Sequence, residues 1–437
     1  MVATLIISLS TFVLVALSTV FFPTIKLGKI HLSTYWLIAL LGAILLTATS
    51  LAPIEETGRQ LIAERSVNPL KILVLFFSMT ILSIYLDEVG LFRYLASLAT
   101  RKAKHSQLDL FFIFYTLTSV LTVFTSNDIV ILTLTPFICF FAKHAKINPL
   151  PYLIAEFAAA NTWSMMFIIG NPTNIYLATS AGIGFVDYFK IMVVPTIFGG
   201  IVELFVLFLV FYPKYLKNPI STSEEKYEIE SKPDFIVGVS LLAVCLVLMV
   251  ISSYVQFEMW LISFSCATLL LVVSLSFRLT THKHWNYLTD SFKRLPYPLI
   301  PFMLSMFVVV VALNEQGIAA KLGEFLNGLD PIWAYGYASF FASNLINNIP
   351  MSILFSSLPS ALTGKAFAQA IFASVIGSNI GAFLTPIGAL AGIMFSSLLK
   401  KYEVKFSFLD FVKYGVLIAI PTISAALLGL FLISLVW

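Results

Sequence analysis

The sequence predicts an all-α polytopic membrane protein in which two inverted repeats each hold five transmembrane helices and one re-entrant hairpin. Three observations predict this fold: the composition, the recurring apolar runs, and breaks in those runs at matching places of two halves. Hydrophobic residues make up 59% of the 437-residue chain and charged residues 11%, whereas a soluble protein carries roughly 25% charged residues. We therefore expect a lipid bilayer around the chain and no soluble domain of any size.

The apolar runs are about 20 residues long, which is enough to cross the hydrocarbon core of a bilayer. In the first half they predict spans at 2–22, 33–52 and 70–92, a re-entrant hairpin at 109–142, a broken span at 150–182 and a span at 190–212. In the second half they predict spans at 234–254, 258–278 and 297–314, a hairpin at 332–360, a broken span at 366–398 and a span at 409–436. Residues 2–22 have no basic segment before them, so we expect a span there and not a cleaved signal peptide.

The basic residues predict how the spans are oriented. With the N terminus outside, most of the 26 Lys and Arg residues fall in cytoplasmic segments, as the positive-inside rule requires. This bias holds only if hairpin 109–142 enters and leaves on the cytoplasmic side and 332–360 does so on the opposite side. We therefore predict a multi-pass protein of the cell membrane with both termini outside. The net charge of +4 then reflects loop orientation, and we expect no nucleic-acid partner.

Residues 213–233 form one long polar segment at the midpoint, which predicts a cytoplasmic linker between a first repeat at 1–212 and a second at 234–437. Short motifs recur in the same order in both halves, as in internal repeats. Ser78-Met79 matches Ser305-Met306, Asn127-Asp128 matches Asn347-Asn348, and Asn161 and Gly170 match Asn379 and Gly388. Because each unit holds five crossings, an odd number, the second copy must lie upside down relative to the first.

Breaks in the apolar runs predict the binding site. Backbone that leaves a helix inside hydrocarbon loses its hydrogen bonds, so breaks persist only where protein or a water-filled cavity satisfies them. Broken helices at matching places in two halves indicate the binding site of a transporter. The predicted substrate- or ion-binding residues are Ser126, Asn127, Asp128, Asn161, Asn171, Thr173, Asn174, Asn347, Asn348, Ser378, Asn379 and Thr385. These short polar side chains suit a small ligand recognised by hydrogen bonds. The alternative is that they only cap helix ends.

Carboxyl groups within the spans are candidates for coupling. An ionised carboxylate near the bilayer centre is unfavourable and is by default functional. Asp128 is such a group, and the corresponding position of the second repeat holds a neutral residue, Asn348. We expect Asp128 to exchange a proton for a cation; a role as the N-cap of the outgoing hairpin helix is compatible with this. Glu203 and Glu156 are further candidates for a proton relay, although Glu156 is expected to reach the cytoplasmic interface. A sodium ion near Asn127, Asp128 and Asn347 is the alternative to a proton.

Neither the cysteines nor any enzyme motif predicts metal or catalytic chemistry. Cys139, Cys245 and Cys266 are far apart in the chain and fall in apolar runs, so we expect buried apolar side chains and neither a disulfide framework nor a metal cluster. No nucleophile elbow, phosphate loop or HExxH helix is present in the sequence. We therefore predict no cofactor, no metal other than a coupling sodium, and no enzyme activity.

Four motifs together resemble the ion transporter superfamily over essentially the whole chain: SND at 126–128, GNPTN at 170–174, NNIP at 347–350 and GSNIGAFLTPIG at 377–388. Asn127, Asp128, Asn347, Asn348, Pro350, Gly377, Asn379, Pro386 and Gly388 match the pattern of its arsenite and antimonite permeases. Dicarboxylate symporters carry SNT at both tips, and this chain departs from that pattern. The resemblance implies a homodimer with a scaffold part and a mobile transport part that moves to give alternating access.

The function expected from these features is secondary active transport of a small anion or oxyacid. The leading hypothesis is proton-coupled efflux of the arsenite or antimonite type, with Asp128 as the proton carrier. The first alternative is a sodium/proton antiporter, and the second is a sodium-coupled dicarboxylate or citrate symporter. A channel is disfavoured because two symmetric broken-helix sites imply an occluded state.

Overall fold

The computed structural model describes residues 1–27, 30–62, 68–103, 106–220, 227–229, 231–255, 257–281 and 287–437, and these are helical almost throughout. The first half contains α1 (Val2–Phe21), β1 (Thr24–Leu27), β2 (Ile30–Ser33), α2 (Thr34–Ala48), α3 (Ile54–Ile62), α4 (Pro69–Glu88), α5 (Leu91–Lys102), α6 (Gln107–Phe124), α7 (Asn127–His144), α8 (Leu150–Trp163), α9 (Pro172–Ser180) and α10 (Phe185–Phe211). The second contains α11 (Lys232–Val255), α12 (Met259–Thr281), α13 (Tyr287–Arg294), α14 (Leu299–Glu315), α15 (Ile318–Asn327), α16 (Pro331–Ile346), α17 (Asn348–Phe355), α18 (Gly364–Gly381), α19 (Leu390–Lys401) and α20 (Phe408–Ser434). Residues 221–226 and 230 of the predicted linker lie outside the described residues.

The prediction of a polytopic helical membrane protein is confirmed. Within the described residues, eight helical segments are long and apolar enough to cross a bilayer. They are Val2–Thr19, Pro69–Glu88, Gln107–Phe124, Phe185–Leu216, Lys232–Val255, Met259–Phe277, Tyr287–Glu315 and Phe408–Ser434. Their outward faces carry exposed large hydrophobic side chains such as Leu209, Val247 and Val272, as is expected of surfaces that face lipid.

The two halves repeat the same order of elements from α4 to α10 and from α14 to α20. In each half a long helix ends at a glutamate, Glu88 or Glu315, and a glycine two residues later opens a short amphipathic helix. Gly90 has φ 96° and Gly317 has φ 66°, a left-handed conformation that glycine adopts without the penalty of a Cβ atom. The first helix therefore ends four residues before the predicted end of span 70–92, and the second ends one residue after that of span 297–314.

Helix contacts between the halves are reciprocal. Helix α2 of the first half packs against α14 of the second, and α12 of the second packs against α4 of the first. Likewise α7 packs against α19 and α17 packs against α9, while α10 and α20 pack against each other. Two copies related by a two-fold axis produce this pattern. The opposite orientation of the two copies in a bilayer stays a prediction.

Helices α6 and α8 run parallel, so α7 carries the chain back between them. The Tyr152 hydroxyl near the start of α8 donates a hydrogen bond to Gln107 Oε1 at the start of α6 (3.1 Å). At the other end, the rings of Phe124 and Phe167 are 5.9 Å apart. A hairpin requires this direction of the chain. The depth of the α6–α7 tip in the bilayer stays a prediction.

The centre of the protein is formed by α8 and α18, the helices that lead into the two predicted breaks. Every residue from 151 to 162 and from 370 to 381 is buried. Close approach of α18 to α16 depends on small residues, since an added Cβ on Gly377 or Gly381 would meet Ser339 Oγ or Ser343 Oγ within 2.3 Å. Membrane helices use small residues in this way to bring their backbones together.

One ion-pair cluster joins the halves at the C-terminal end of α4. The Arg294 guanidinium of α13 lies 2.6 Å from Asp87 Oδ2 and 2.5 Å from Glu88 Oε1. The Thr133 hydroxyl of α7 also donates to Asp87 Oδ2 (2.7 Å). The Asp87 side chain is only 3% exposed, so its charge depends on these partners.

Arg294→Gln is expected to destabilise the protein because it leaves the Asp87 carboxylate buried without its cation. Removing one partner of a wholly buried pair costs about 3–5 kcal/mol. Water reaches Arg294, whose side chain is 30% exposed, so we expect the lower end of that range or somewhat less. The measurement is the midpoint of thermal unfolding in detergent. Lys293→Gln is the matched control, because its pair with Asp290 is exposed; equal shifts for both variants would contradict the prediction.

Candidate functional site

The first predicted tip is a genuine helix break. Helix α6 ends at Phe124, Ser126 is extended, and α7 begins at Asn127. The Asn127 side-chain amide donates to Asn161 Oδ1 (3.1 Å), and its Oδ1 accepts from the backbone N–H of Asp128 (2.9 Å). Asn127 therefore ties the tip to α8, the helix that leads into the next break.

The second tip has a different backbone conformation but is likewise attached to a neighbouring helix break. Asn347 separates α16 from α17 with φ 69° and ψ 152°, a positive φ that asparagine tolerates better than most residues. Its amide donates to the Ile387 carbonyl (3.1 Å), and the Asn348 backbone N–H donates to the Gly388 carbonyl (2.9 Å). The predicted residues Asn347 and Asn348 thus attach the tip to the break between α18 and α19.

Asn344, which the sequence analysis missed, supports this second tip from one turn earlier. Its amide donates to the Gly381 carbonyl (3.0 Å), and its Oδ1 accepts from the predicted site residue Thr385 (2.8 Å). The only signal in the sequence was a third asparagine close before Asn347-Asn348. A lone polar residue in a helix is more often a surface or capping residue, so the signal was weak.

The centre of the site is the side-chain amide of Asn379, which joins the two halves. Its Oδ1 accepts from Ser164 Oγ (2.8 Å) and Asn171 Nδ2 (3.0 Å). Its Nδ2 donates to Asn174 Oδ1 (2.7 Å) and to the Val375 carbonyl (2.8 Å). Asn379 is fully buried and connects α18 with the break between α8 and α9. Ser164 is a second residue that the sequence analysis missed.

Two predicted hydroxyl groups, each one residue before a member of the Asn379 network in the chain, have no partner among the described residues. Thr173 Oγ1 and Ser378 Oγ are buried, and neither makes a hydrogen bond within the described part of the chain. Leaving a buried hydroxyl unpaired costs about 1–3 kcal/mol. Thr173 precedes Asn174 and Ser378 precedes Asn379 in the chain, so both unpaired groups lie on the helices that carry the Asn379 network. A ligand or a water that hydrogen-bonds them would recover that free energy.

Some predicted site residues do act as caps. Asn171 accepts from the Thr173 backbone N–H (3.2 Å) and Asn347 accepts from that of Ile349 (3.3 Å). These two residues also bond across to other segments, so capping describes only one side of each amide.

Glu203 on α10 is fully buried and hydrogen-bonded by neutral donors. It accepts from the Thr162 hydroxyl and from the Tyr115 hydroxyl, the latter at 3.0 Å. The Trp163 indole N–H donates to Tyr115 in turn (3.1 Å). Because Thr162 follows Asn161, this group of side chains holds the C-terminal end of α8 next to the first tip.

The expectation that Glu156 reaches the cytoplasmic interface is wrong. Its side chain is fully buried on α8 and accepts from the Thr135 hydroxyl of α7 (2.9 Å). The position along α8 was judged from the sequence, whereas its exposure depends on the helices that surround α8. Those neighbours include α6, α7, α10 and α18, which leave no side of α8 open to water.

Asp128 lies in the first turn of α7 and is partly exposed. It is not the N-cap, as Ser126 occupies that position, so this part of the alternative interpretation is wrong. Among the described residues none donates a hydrogen bond to its carboxylate, and no Lys, Arg or His forms an ion pair with Asp128, Glu156 or Glu203. All three carboxyl groups lie in the first half.

No cluster of three His, Cys, Asp or Glu able to hold a metal occurs in the described ranges.

Comparisons with known proteins agree with this architecture. Residues 12–377 match the model of the citrate transporter family. The arsenical pump membrane protein of Escherichia coli is 26% identical over 370 residues, covering 81% of this chain and 84% of the relative. The putative arsenical pump membrane protein of Bacillus subtilis (strain 168) is 23% identical over 414 residues, covering 90% and 92%. The crystal structure of the Alcanivorax borkumensis YdaH transporter superposes with a TM-score of 0.54 at 16% identity over 100% of this chain and 97% of that chain, a likeness of fold alone.

Proposed function

We propose, since this chain belongs to the citrate transporter family, that it is a secondary transporter that exports arsenite or antimonite in exchange for protons. The relatives of similar length named as arsenical pump membrane proteins support this substrate class. The coupling ion would be bound at the first hairpin tip and the substrate at the break between α8 and α9.

The observation that supports the substrate proposal is the buried Asn379 amide network together with two unpaired hydroxyls, Thr173 and Ser378, on the same two helices. Arsenite near pH 7 is a neutral molecule with three hydroxyl groups, each able to donate and accept a hydrogen bond. Thr173, Ser378 and the surrounding amides offer matching partners without any fixed charge. A citrate trianion is normally bound through charge-assisted hydrogen bonds from Arg or Lys, and none of the described site residues is basic.

Asp128 is the proposed proton carrier. Its carboxylate has no cationic partner among the described residues, and it stands at the N-terminal end of α7, where the helix dipole favours negative charge. A group in this position can be ionised on one side of the membrane and protonated on the other. Alternating exposure of one such group couples substrate movement to a proton gradient.

The decisive experiment is uptake of arsenite into proteoliposomes under an imposed pH gradient. We expect Asp128→Asn to retain substrate exchange but to lose the acceleration by the pH gradient, because the amide carries no exchangeable charge. Asp187→Asn is the matched control, since Asp187 is exposed and its ion pair within the described part of the chain is with Lys190. Unchanged pH-driven flux in Asp128→Asn would remove the coupling role of this residue.

The same assay separates the alternatives. A sodium/proton antiporter would show sodium movement against protons without any arsenite, with Asn127, Asp128 and Asn347 as sodium ligands. A citrate symporter, which the description of the family model favours, would take up citrate under a sodium gradient. Assembly as a homodimer, termini outside the cell membrane and movement of a transport part against a scaffold are further parts of this proposal.

A further inference from the structure

Two of the three cysteines lie together in space, away from the transport site. Cys245 on α11 and Cys266 on α12 are buried, and their thiol groups lie close enough to act on each other electrostatically. The Cys245 thiol also donates to the Met79 thioether sulfur of α4 at 3.8 Å. Three sulfur atoms from three different helices therefore meet in an apolar environment. The separation of 21 residues along the chain does not reveal that Cys245 and Cys266 are neighbours.

A cavity lies beside the ends of the same three helices and next to the connection from α9 to α10. It has a volume of about 520 Å³, and its lining includes Leu75 of α4, Ser252 of α11 and Met259 of α12. At 1.5 Å per helical residue, Met79 lies about 6 Å beyond Leu75, and each cysteine lies about 10 Å beyond the lining residue of its own helix. At the mouth of the cavity, the Lys71 ammonium nitrogen lies 2.7 Å from Glu258 Oε2. Hydrogen bonds from Lys71 and from the Trp260 indole N–H lower the pKa of the Glu258 carboxyl.

We propose that Cys245, Cys266 and Met79 form a binding site for a soft monovalent cation of the Cu⁺ or Ag⁺ class. Thiolate and thioether sulfur are the ligands that select such ions in proteins. Structural zinc sites have four tetrahedral ligands, whereas this cluster supplies three. The described ranges add no nearby group of His, Asp or Glu that would complete a zinc site.

Charge balance in the buried site favours a monovalent ion. As the metal binds, one thiol releases its proton to water and a metal–sulfur bond replaces the S–H bond, with no change in oxidation state. One thiolate then neutralises one positive charge, and the second thiol and the thioether remain neutral ligands. A neutral assembly avoids the large penalty of placing net charge in an apolar interior.

This site is separate from the proposed transport site. Met79, Cys245 and Cys266 lie within unbroken helices, and none of them contacts the Asn379 network through a hydrogen bond in the described residues. The proposal therefore stands independently of which substrate is carried.

The test uses silver ion as the probe with the purified full-length protein in chloride-free detergent buffer. We expect one tightly held Ag⁺ per chain after desalting, measured by elemental mass spectrometry, together with a raised midpoint of thermal unfolding. Cys139→Ser is the matched control and is expected to bind silver as the wild-type protein does. The double variant Cys245→Ser/Cys266→Ser is expected to lose the bound ion, and Met79→Leu to retain it more weakly.

A second measurement needs no variant. Silver is added first, the protein is then alkylated with a maleimide reagent in a detergent that unfolds it, and the digest is analysed for modified cysteines. Cys245 and Cys266 should be protected, whereas Cys139 should react fully. Silver retained by the double variant, or protection of Cys139 alone, would overturn the proposal. Arsenite uptake by the double variant is expected to equal that of Cys139→Ser. The silver measurements then test the metal site independently of transport.

Discussion

Gly377→Val is expected to abolish the folded transporter. An added Cβ at Gly377 would lie 2.0 Å from Ser339 Oγ, 2.3 Å from the Gly336 carbonyl oxygen and 2.8 Å from the Phe340 backbone nitrogen. The serine can rotate away, but the two backbone atoms of α16 cannot. Overpacking a core usually costs about 1–3 kcal/mol when side chains can yield, and here the helices themselves must separate. We expect loss of the monodisperse peak in size-exclusion chromatography of detergent-extracted protein.

The matched control for this substitution is Gly58→Val. Gly58 lies in the short helix α3, where an added Cβ would meet nothing within 4 Å. We expect this variant to elute and to unfold as the wild-type protein does. Gly377→Ala should fall between the two, because it adds the clash of one methyl group without the branches of valine. A Gly377→Val protein as stable as Gly58→Val would show that α16 and α18 do not pack as closely as described.

Asn379→Leu is expected to eliminate transport while weakening the fold. The substitution removes the acceptor for Ser164 and Asn171 and the donor for Asn174, all of which are buried. Each unsatisfied buried group costs about 1–3 kcal/mol. The Ser164 hydroxyl can donate its one hydrogen to the Asn161 carbonyl instead, whereas the Asn171 amide N–H and Asn174 Oδ1 lose their partner. We therefore expect a loss of about 2–6 kcal/mol in the free energy of unfolding, since two buried groups lose their partner.

Transport and stability can be separated for this residue. Ser374→Ala is the matched control, because Ser374 lies on the same buried helix and bonds only to the Ala370 carbonyl. We expect Ser374→Ala to transport arsenite near the wild-type rate, and Asn379→Leu to transport none even at a temperature where it is fully folded. Transport by folded Asn379→Leu at the control rate would exclude the Asn379 network from the substrate site.

Local chemistry made the helix breaks predictable. Asn, Gly and Pro residues interrupt the apolar runs at Ser126-Asn127-Asp128, at Asn347 and at 170–174, and the structure ends or starts a helix at each of these places. The short helices α3, α5, α13 and α15 were not predicted. They are amphipathic and only 8 to 12 residues long, so a search for long apolar runs does not detect them.

The sequence by itself determined the surroundings of this protein and its repeated elements. These are a bilayer around the chain, long apolar helices, and two sets of helix breaks in the same order. These depend on composition and on neighbouring residues, which act through backbone conformation and hydropathy. Only the tertiary structure decided that Asn379 joins the two halves, that Glu156 is buried, and that Cys245 meets Cys266. Each of these depends on which face of a helix meets which neighbour, and a helix whose surroundings are apolar on every side carries no periodic pattern from which that face can be read.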